Sequence, residues 1–213
     1  MSRKNATIRN VISFLWIKNP LLIYGLSVVT AVMTTTSLNS ALSVCLALVI
    51  MMIPTAAVSL LMGSKFPPEI RFVIHTLVAS LSYIPAVMAV RAIFPQSVTA
   101  LTIYLPLLAV NELVVLRADR YATKRSISFA LTDTLGCILS FTLTMLTIAF
   151  VRELLGSGSL FGYKILKQTR PEVLLPFMGF ILSGFTAAIF KHAQAVAILA
   201  IRRRRYRKTR KTN

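Results

Sequence analysis

Apolar stretches long enough to cross a bilayer recur along this chain, near residues 20–37, 41–63, 71–93, 97–117, 127–151 and 173–200. Hydrocarbon offers no partner to backbone N–H and C=O groups, so such a segment crosses a membrane as a helix whose hydrogen bonds close within itself. A hydrocarbon core of about 30 Å takes about 20 residues per helix, so the spacing predicts six spans with short connections and no sizeable extramembrane domain. Composition agrees, with 56% of residues hydrophobic and 14% charged and a mean hydropathy of +0.74. The expected fold is an all-α integral membrane protein: a cytoplasmic or interfacial segment over 1–18, a six-span domain over 19–201 and a basic cytoplasmic tail over 202–213.

Charge orients the spans. Lys and Arg number 24 against 6 Asp and Glu, a formal net charge of +18, which in a water-soluble chain would point to nucleic acid. Here the basic residues sit at the ends of apolar runs, so nucleic acid is not expected as a partner. Counted on alternate sides, nineteen fall with the N-terminus, the connections at Lys65–Arg71 and Arg117–Arg125, and the tail, and five on the opposite side. Both termini are therefore expected in the cytoplasm. No small-residue cleavage site follows the charged start, so no removable signal peptide is expected. Trp16 and Lys18 suit an interfacial stretch, and the tail RRRRYRKTRKTN suits anionic lipid headgroups or a stop-transfer anchor.

Two spans carry unusual polar content. The first is rich in Ser and Thr from Ser27 to Ser37, and the fourth holds Pro106 followed by Asn111 and Glu112. Proline and polar groups at membrane depth fit interrupted helices. The two spans lie three apart, which suits either a 3+3 inverted repeat or a plain six-helix bundle. A carboxylate at mid-helix costs about 2.5–3.5 kcal/mol to insert, so Glu112 is expected to be protonated, paired, or facing a wet cavity or partner. It reads as a proton or cation site, or as part of a helix–helix hydrogen bond with Asn111 and a hydroxyl. Asp133 suits the N-terminus of the fifth span, with Ser126 or Ser128 as a cap. Glu69 and the pair Arg152–Glu153 read as interfacial charges that find water or each other. His75 and His192 read as interfacial residues near span ends rather than metal ligands, and Cys45 and Cys137 as packing groups. The glycines of GSGSLFG read as a helix stop, and no catalytic constellation is present.

Several strings are more specific. KNPLLIYGL, FPPEIRFVIH, LPLLAVNELVVLRADRYA, ALTDTLG and VRELLGSGSLFG, between about residues 19 and 162, resemble the Rnf/Nqr integral-membrane family, in particular its RnfE/NqrD-type subunits of ion-translocating electron transport complexes. The resemblance implies a six-span inverted repeat with interrupted first and fourth helices, in a prokaryotic plasma membrane, paired with a homologous RnfA/NqrE-type subunit of opposite topology. It also implies a [2Fe-2S] cluster held by two cysteines from each member of the pair. In this chain those positions carry Glu112 and either Ser27 or Val29, which are not the soft thiolates that select such a cluster. The expectation is a divergent, cluster-free paralogue in which Glu112, Asn111, Asp133, Asp119, Arg152 and Glu69 serve an ion path or the structure. The alternative is a stand-alone or homodimeric secondary transporter with Glu112 as its coupling residue.

Overall fold

The computed structural model describes residues 25, 27–124 and 127–209. The expected segment over 1–18, the beginning of the first span, Ser126 and the last four residues lie outside them. Eight helices follow in order: α1 Val28–Thr34, α2 Leu38–Met62, α3 Pro68–Ile93, α4 Pro95–Ala100, α5 Tyr104–Leu107, α6 Glu112–Lys124, α7 Ile127–Gly156 and α8 Pro176–Thr209.

Among the described residues, three helices are long and apolar enough to cross a membrane: Leu38–Met62, Pro68–Ile93 and Ala130–Gly156. The sequence places their limits. Ser37 is extended and its hydroxyl accepts from the backbone N–H of Ser40 (3.1 Å), capping α2. Gly63, at φ 60°, ends that helix, and the fixed φ of Pro68 suits the first turn of α3. Helix α2 is central, packing against α3, α6 and α7. Small buried groups on it, Ser40, Ala41, Ser43 and Ala47, let its neighbours approach closely. Large apolar side chains point outward instead, including Leu61, Leu81, Met88 and Ile189. A surface of that composition is stable in lipid and a liability in water.

The fourth apolar run departs from expectation. Hydropathy predicts one span over 97–117, but the run is divided into α4, α5, a 3₁₀ turn over Leu108–Val110 and a break at Asn111. Helix α6 then continues to Lys124, through RADRYATK, which reads as an inter-span connection in sequence. Pro106 accounts for much of the fragmentation, since it supplies no N–H and crowds the preceding turn. Residues 117–124 instead hold mainly good helix formers. Helix α8 runs unbroken from the apolar segment to Thr209. After Gly156 the chain forms a hairpin with Ser159 opposite Lys164 and Leu160 opposite Tyr163. Phe161 and Gly162, both at positive φ, make its turn, so GSGSLFG is more than a helix stop.

Arg152 and Glu153, expected at the interface, are 0% and 5% exposed. The Arg152 guanidinium donates to the carbonyls of Val32, Val173 (3.2 Å) and Leu174 (2.6 Å) and to Thr35 Oγ1 (2.9 Å). It thereby caps the C-terminal turn of α1 and fastens it to the 3₁₀ turn Pro171–Leu174 that leads into α8. One residue on, the Glu153 carboxylate accepts from the Leu38 N–H at the start of α2. A cation thus meets a helix C-terminus and an anion a helix N-terminus, the favoured sign at each. Gly179 permits the approach of α8, because a Cβ there would lie 2.8 Å from Val32 and 3.1 Å from Arg152.

Replacing Arg152 by Leu should therefore lower stability in detergent by about 3 kcal/mol or more, since several buried carbonyls lose their donor. Thermal denaturation followed by size-exclusion chromatography measures this. Arg152→Lys should recover only part of the loss, because an ammonium cannot reproduce the planar fork.

Candidate functional site: the cleft at the Asn111 junction

The start of α1 and the break before α6 come together. Ser27, in the left-handed region at φ 64°, precedes α1, and Asn111, extended at ψ 131°, precedes α6. The Asn111 side chain fastens one to the other. Its Oδ1 accepts from Ser27 Oγ and from the Leu113 backbone N–H (2.9 Å), while Nδ2 donates to Thr30 Oγ1 (3.2 Å). The bond from Leu113 is an N-cap of α6, and the other two cross 84 and 81 residues of sequence.

A cleft of about 240 Å³ opens at this junction, bordered by Ser27, Val29, Thr30, Val110, Asn111 and Glu112. Glu112 is exposed and begins α6, where the helix dipole favours an anion. The inter-span hydrogen bonds foreseen for Glu112 and Asn111 are made by Asn111, which leaves the carboxylate free to face the cleft.

Two ion pairs hold α6 in place. Arg117 Nε donates to Asp133 Oδ2 (2.8 Å) and Nη2 to Oδ1 (3.2 Å), in a pair whose side chains are 2% and 6% exposed. It joins α6 to α7. Arg71 Nε donates to Asp119 Oδ1 (2.7 Å), joining α3 to α6. The site residues foreseen in the sequence thus separate into a cleft pair, Asn111 and Glu112, and the side chains that position it, Asp119 and Asp133 on α6 and α7 and Arg152 beneath α1. Glu69 lies apart, exposed on the first turn of α3.

Sequence reasoning missed Arg71 and Arg117 as partners, having counted both as connection charges. Arg117 and Asp133 each lie eight residues from Arg125, a symmetry that an antiparallel helix pair turning there would bring face to face. His75, expected at the interface, is 0% exposed, because α3 turns that side toward α6 and not outward.

The donor set of the cleft is hydroxyl, amide and carboxylate. Cys45 and Cys137 are free, buried in the main core, and do not border it. A [2Fe-2S] cluster does not fit these residues, since its iron is held by thiolates or, in some centres, imidazoles. In sequence, residues 7–194 match the family described as Rnf-Nqr subunit, membrane protein. The chain belongs to the Rnf-Nqr family. Among curated relatives of this Rnf-Nqr chain, one subunit of the Na(+)-translocating ferredoxin:NAD(+) oxidoreductase complex of Acetobacterium woodii is 29% identical over 159 residues, covering 74% of this chain and 81% of the relative. A subunit of the proton-translocating ferredoxin:NAD(+) oxidoreductase complex of Clostridium ljungdahlii is 27% identical, covering 82% and 83%. A subunit of the Na(+)-translocating NADH-quinone reductase of a Shewanella species is 31% identical over 182 residues, covering 81% and 86%.

Removing one member of the buried ion pair strands the other. Arg117→Leu should cost about 3–5 kcal/mol, and Arg117→Leu with Asp133→Leu should restore most of it. Thermal unfolding of the two purified variants gives the comparison, with additive losses as the contrary result.

Proposed function

We propose that this chain is a membrane subunit of an Rnf/Nqr-like ion-translocating oxidoreductase complex, in which its cleft serves an ion path or partner contact without ligating iron. The observation that carries this is the cleft itself: the start of α1 and the break before α6 laced together by Asn111, with the Glu112 carboxylate exposed beside them and no thiol at hand. The curated relatives are subunits of complexes whose names describe Na⁺ or proton translocation. A soft cluster ligand has given way to a hard oxygen donor, the kind that suits alkali and alkaline-earth ions or protons.

In this reading the polypeptide spans six times as a 3+3 inverted repeat, with both termini cytoplasmic, in a prokaryotic plasma membrane. The meeting of the first and fourth segments through Asn111 supports the repeat, and the distribution of Lys and Arg supports the orientation. The partner is a homologous RnfA/NqrE-type subunit of opposite topology, and the basic end of α8 rests on anionic headgroups. Asp119, Asp133 and Arg152 position the helices, and Glu112 is the group that meets the ion.

Co-expression with the neighbouring genes, followed by purification through a tag on this chain, should recover a complex containing a homologous subunit. Recovery of a lone, stable, monodisperse protein would remove the proposal in favour of a stand-alone transporter. Within the complex, Glu112→Gln should slow ion-coupled transport by about tenfold or more, equivalent to losing one charged contact of about 1.4 kcal/mol. Iron and acid-labile sulfide per complex should stay unchanged in both Glu112→Gln and Ser27→Ala; loss of stoichiometric iron in either would show that this chain does ligate a cluster.

A further inference from the structure

A second cavity, of about 320 Å³, lies between the first turns of α3 and the middle of α6, bordered by Pro68, Glu69, Phe72, His75, Leu116 and Asp119. Its inner wall holds an unusual group. His75 is wholly buried, and among the described residues neither Nδ1 nor Nε2 has a hydrogen-bond partner. A neutral imidazole offers one donor and one acceptor, and buried polar atoms are normally satisfied by protein, water or a ligand. Two carboxylates border the same cavity. Asp119 is engaged by Arg71 yet keeps 39% of its side chain exposed, while Glu69 is exposed and has no ion pair among the described residues. With Arg71 and Asp119 cancelling, the cavity carries a net negative charge from Glu69. Its lip is apolar, since Phe72 and Leu116 are 48% and 49% exposed.

The occupant that satisfies this arrangement is a small cation with several N–H donors and an apolar attachment. The cavity opens at the first turn of a helix long and apolar enough to cross a membrane, the level at which headgroups meet acyl chains. We infer that it seats the primary ammonium of a zwitterionic phospholipid headgroup, of the phosphatidylethanolamine kind. Three N–H groups meet three acceptors: the Glu69 carboxylate, the open face of Asp119 and the unprotonated nitrogen of His75. The acyl chains lie along Phe72 and Leu116. A quaternary choline has no N–H to give, and an anionic phosphatidylglycerol meets the wrong sign at Glu69. The site stands on the membrane location of the chain and is independent of whether the cleft at Asn111 conducts an ion.

Native mass spectrometry of the full-length protein, delipidated in detergent and offered matched-chain phosphatidylethanolamine, phosphatidylcholine and phosphatidylglycerol, tests this directly. Phosphatidylethanolamine should be retained about tenfold over phosphatidylcholine, corresponding to about 1.4 kcal/mol. Glu69→Gln, a surface change that leaves packing untouched, should reduce it to the phosphatidylcholine level. Leu116→Trp, which fills the mouth while keeping every polar group, should do the same. Equal retention of the lipids by the unaltered protein, or undiminished selectivity in both variants, would overturn the assignment. So would carbodiimide cross-linking of Glu69 to a lysine of a co-purified subunit with the lipid absent, since the ammonium would then belong to a protein.

Discussion

A peptide group that leaves a helix at membrane depth finds no water, and each such group left unpaired costs several kcal/mol. Two helix ends in this fold bury peptide groups, and polar side chains gather at both. At one, the Asn111 side chain caps α6 with its own oxygen and reaches back to Ser27 and Thr30. At the other, the turn between α1 and α2 is closed by Arg152 on the carbonyl side and Glu153 on the amide side. Neighbouring residues on one helix thus satisfy opposite ends of two others, which fixes α7 against both.

The same constraint sorts the charged residues. Of the six acidic residues, Asp119, Asp133 and Glu153 hold helices to one another. Glu69, Glu112 and Glu172 remain exposed. Helix α6 is gripped from both flanks, by α7 through Arg117 and by α3 through Arg71. A 13-residue helix has too little surface of its own to be fixed by packing alone, and a buried pair carries directional constraint that apolar contact lacks. Orientation of α6 in turn sets where Glu112 points. The ion pairs therefore act on the cleft at a distance, through the helix that bears it.

Much of this was legible in the sequence. Hydropathy alone marks α2, α3 and α7, because each is a long run with no alternative way to satisfy its backbone. The start of α1 and the break before α6 are also visible, as GLS before a hydroxyl-rich stretch and as proline followed by Asn111 and Glu112. Hidden from a linear reading was which charge meets which carbonyl. VRE at the end of an apolar run looks like an interfacial pair, since nothing in the local spacing says that the ends of α1 and α2 return to that level. His75 likewise sits a few residues inside a helix start, where burial depends on which neighbour covers that face. RADRYATK resembles a connection by charge, yet its helix propensity and the two ion pairs carry the helix through it. Periodicity reports one element at a time, whereas these contacts belong to pairs of elements distant in the chain.

The position of Glu112 also explains how a carboxylate is tolerated at this junction. A carboxylate buried among apolar helices would be expelled or neutralised, but the first residue of α6 faces an open cleft and the positive end of a helix dipole. The groups that close the break are Asn111, Ser27 and Thr30, none of which depends on residue 112. Helix closure therefore does not draw on the Glu112 side chain, which is left to face the cleft. Cys45 and Cys137 are fixed in the opposite way. Both are packed in the core around α2 and α7, so neither could reach the cleft without dismantling the helix contacts on which the junction relies.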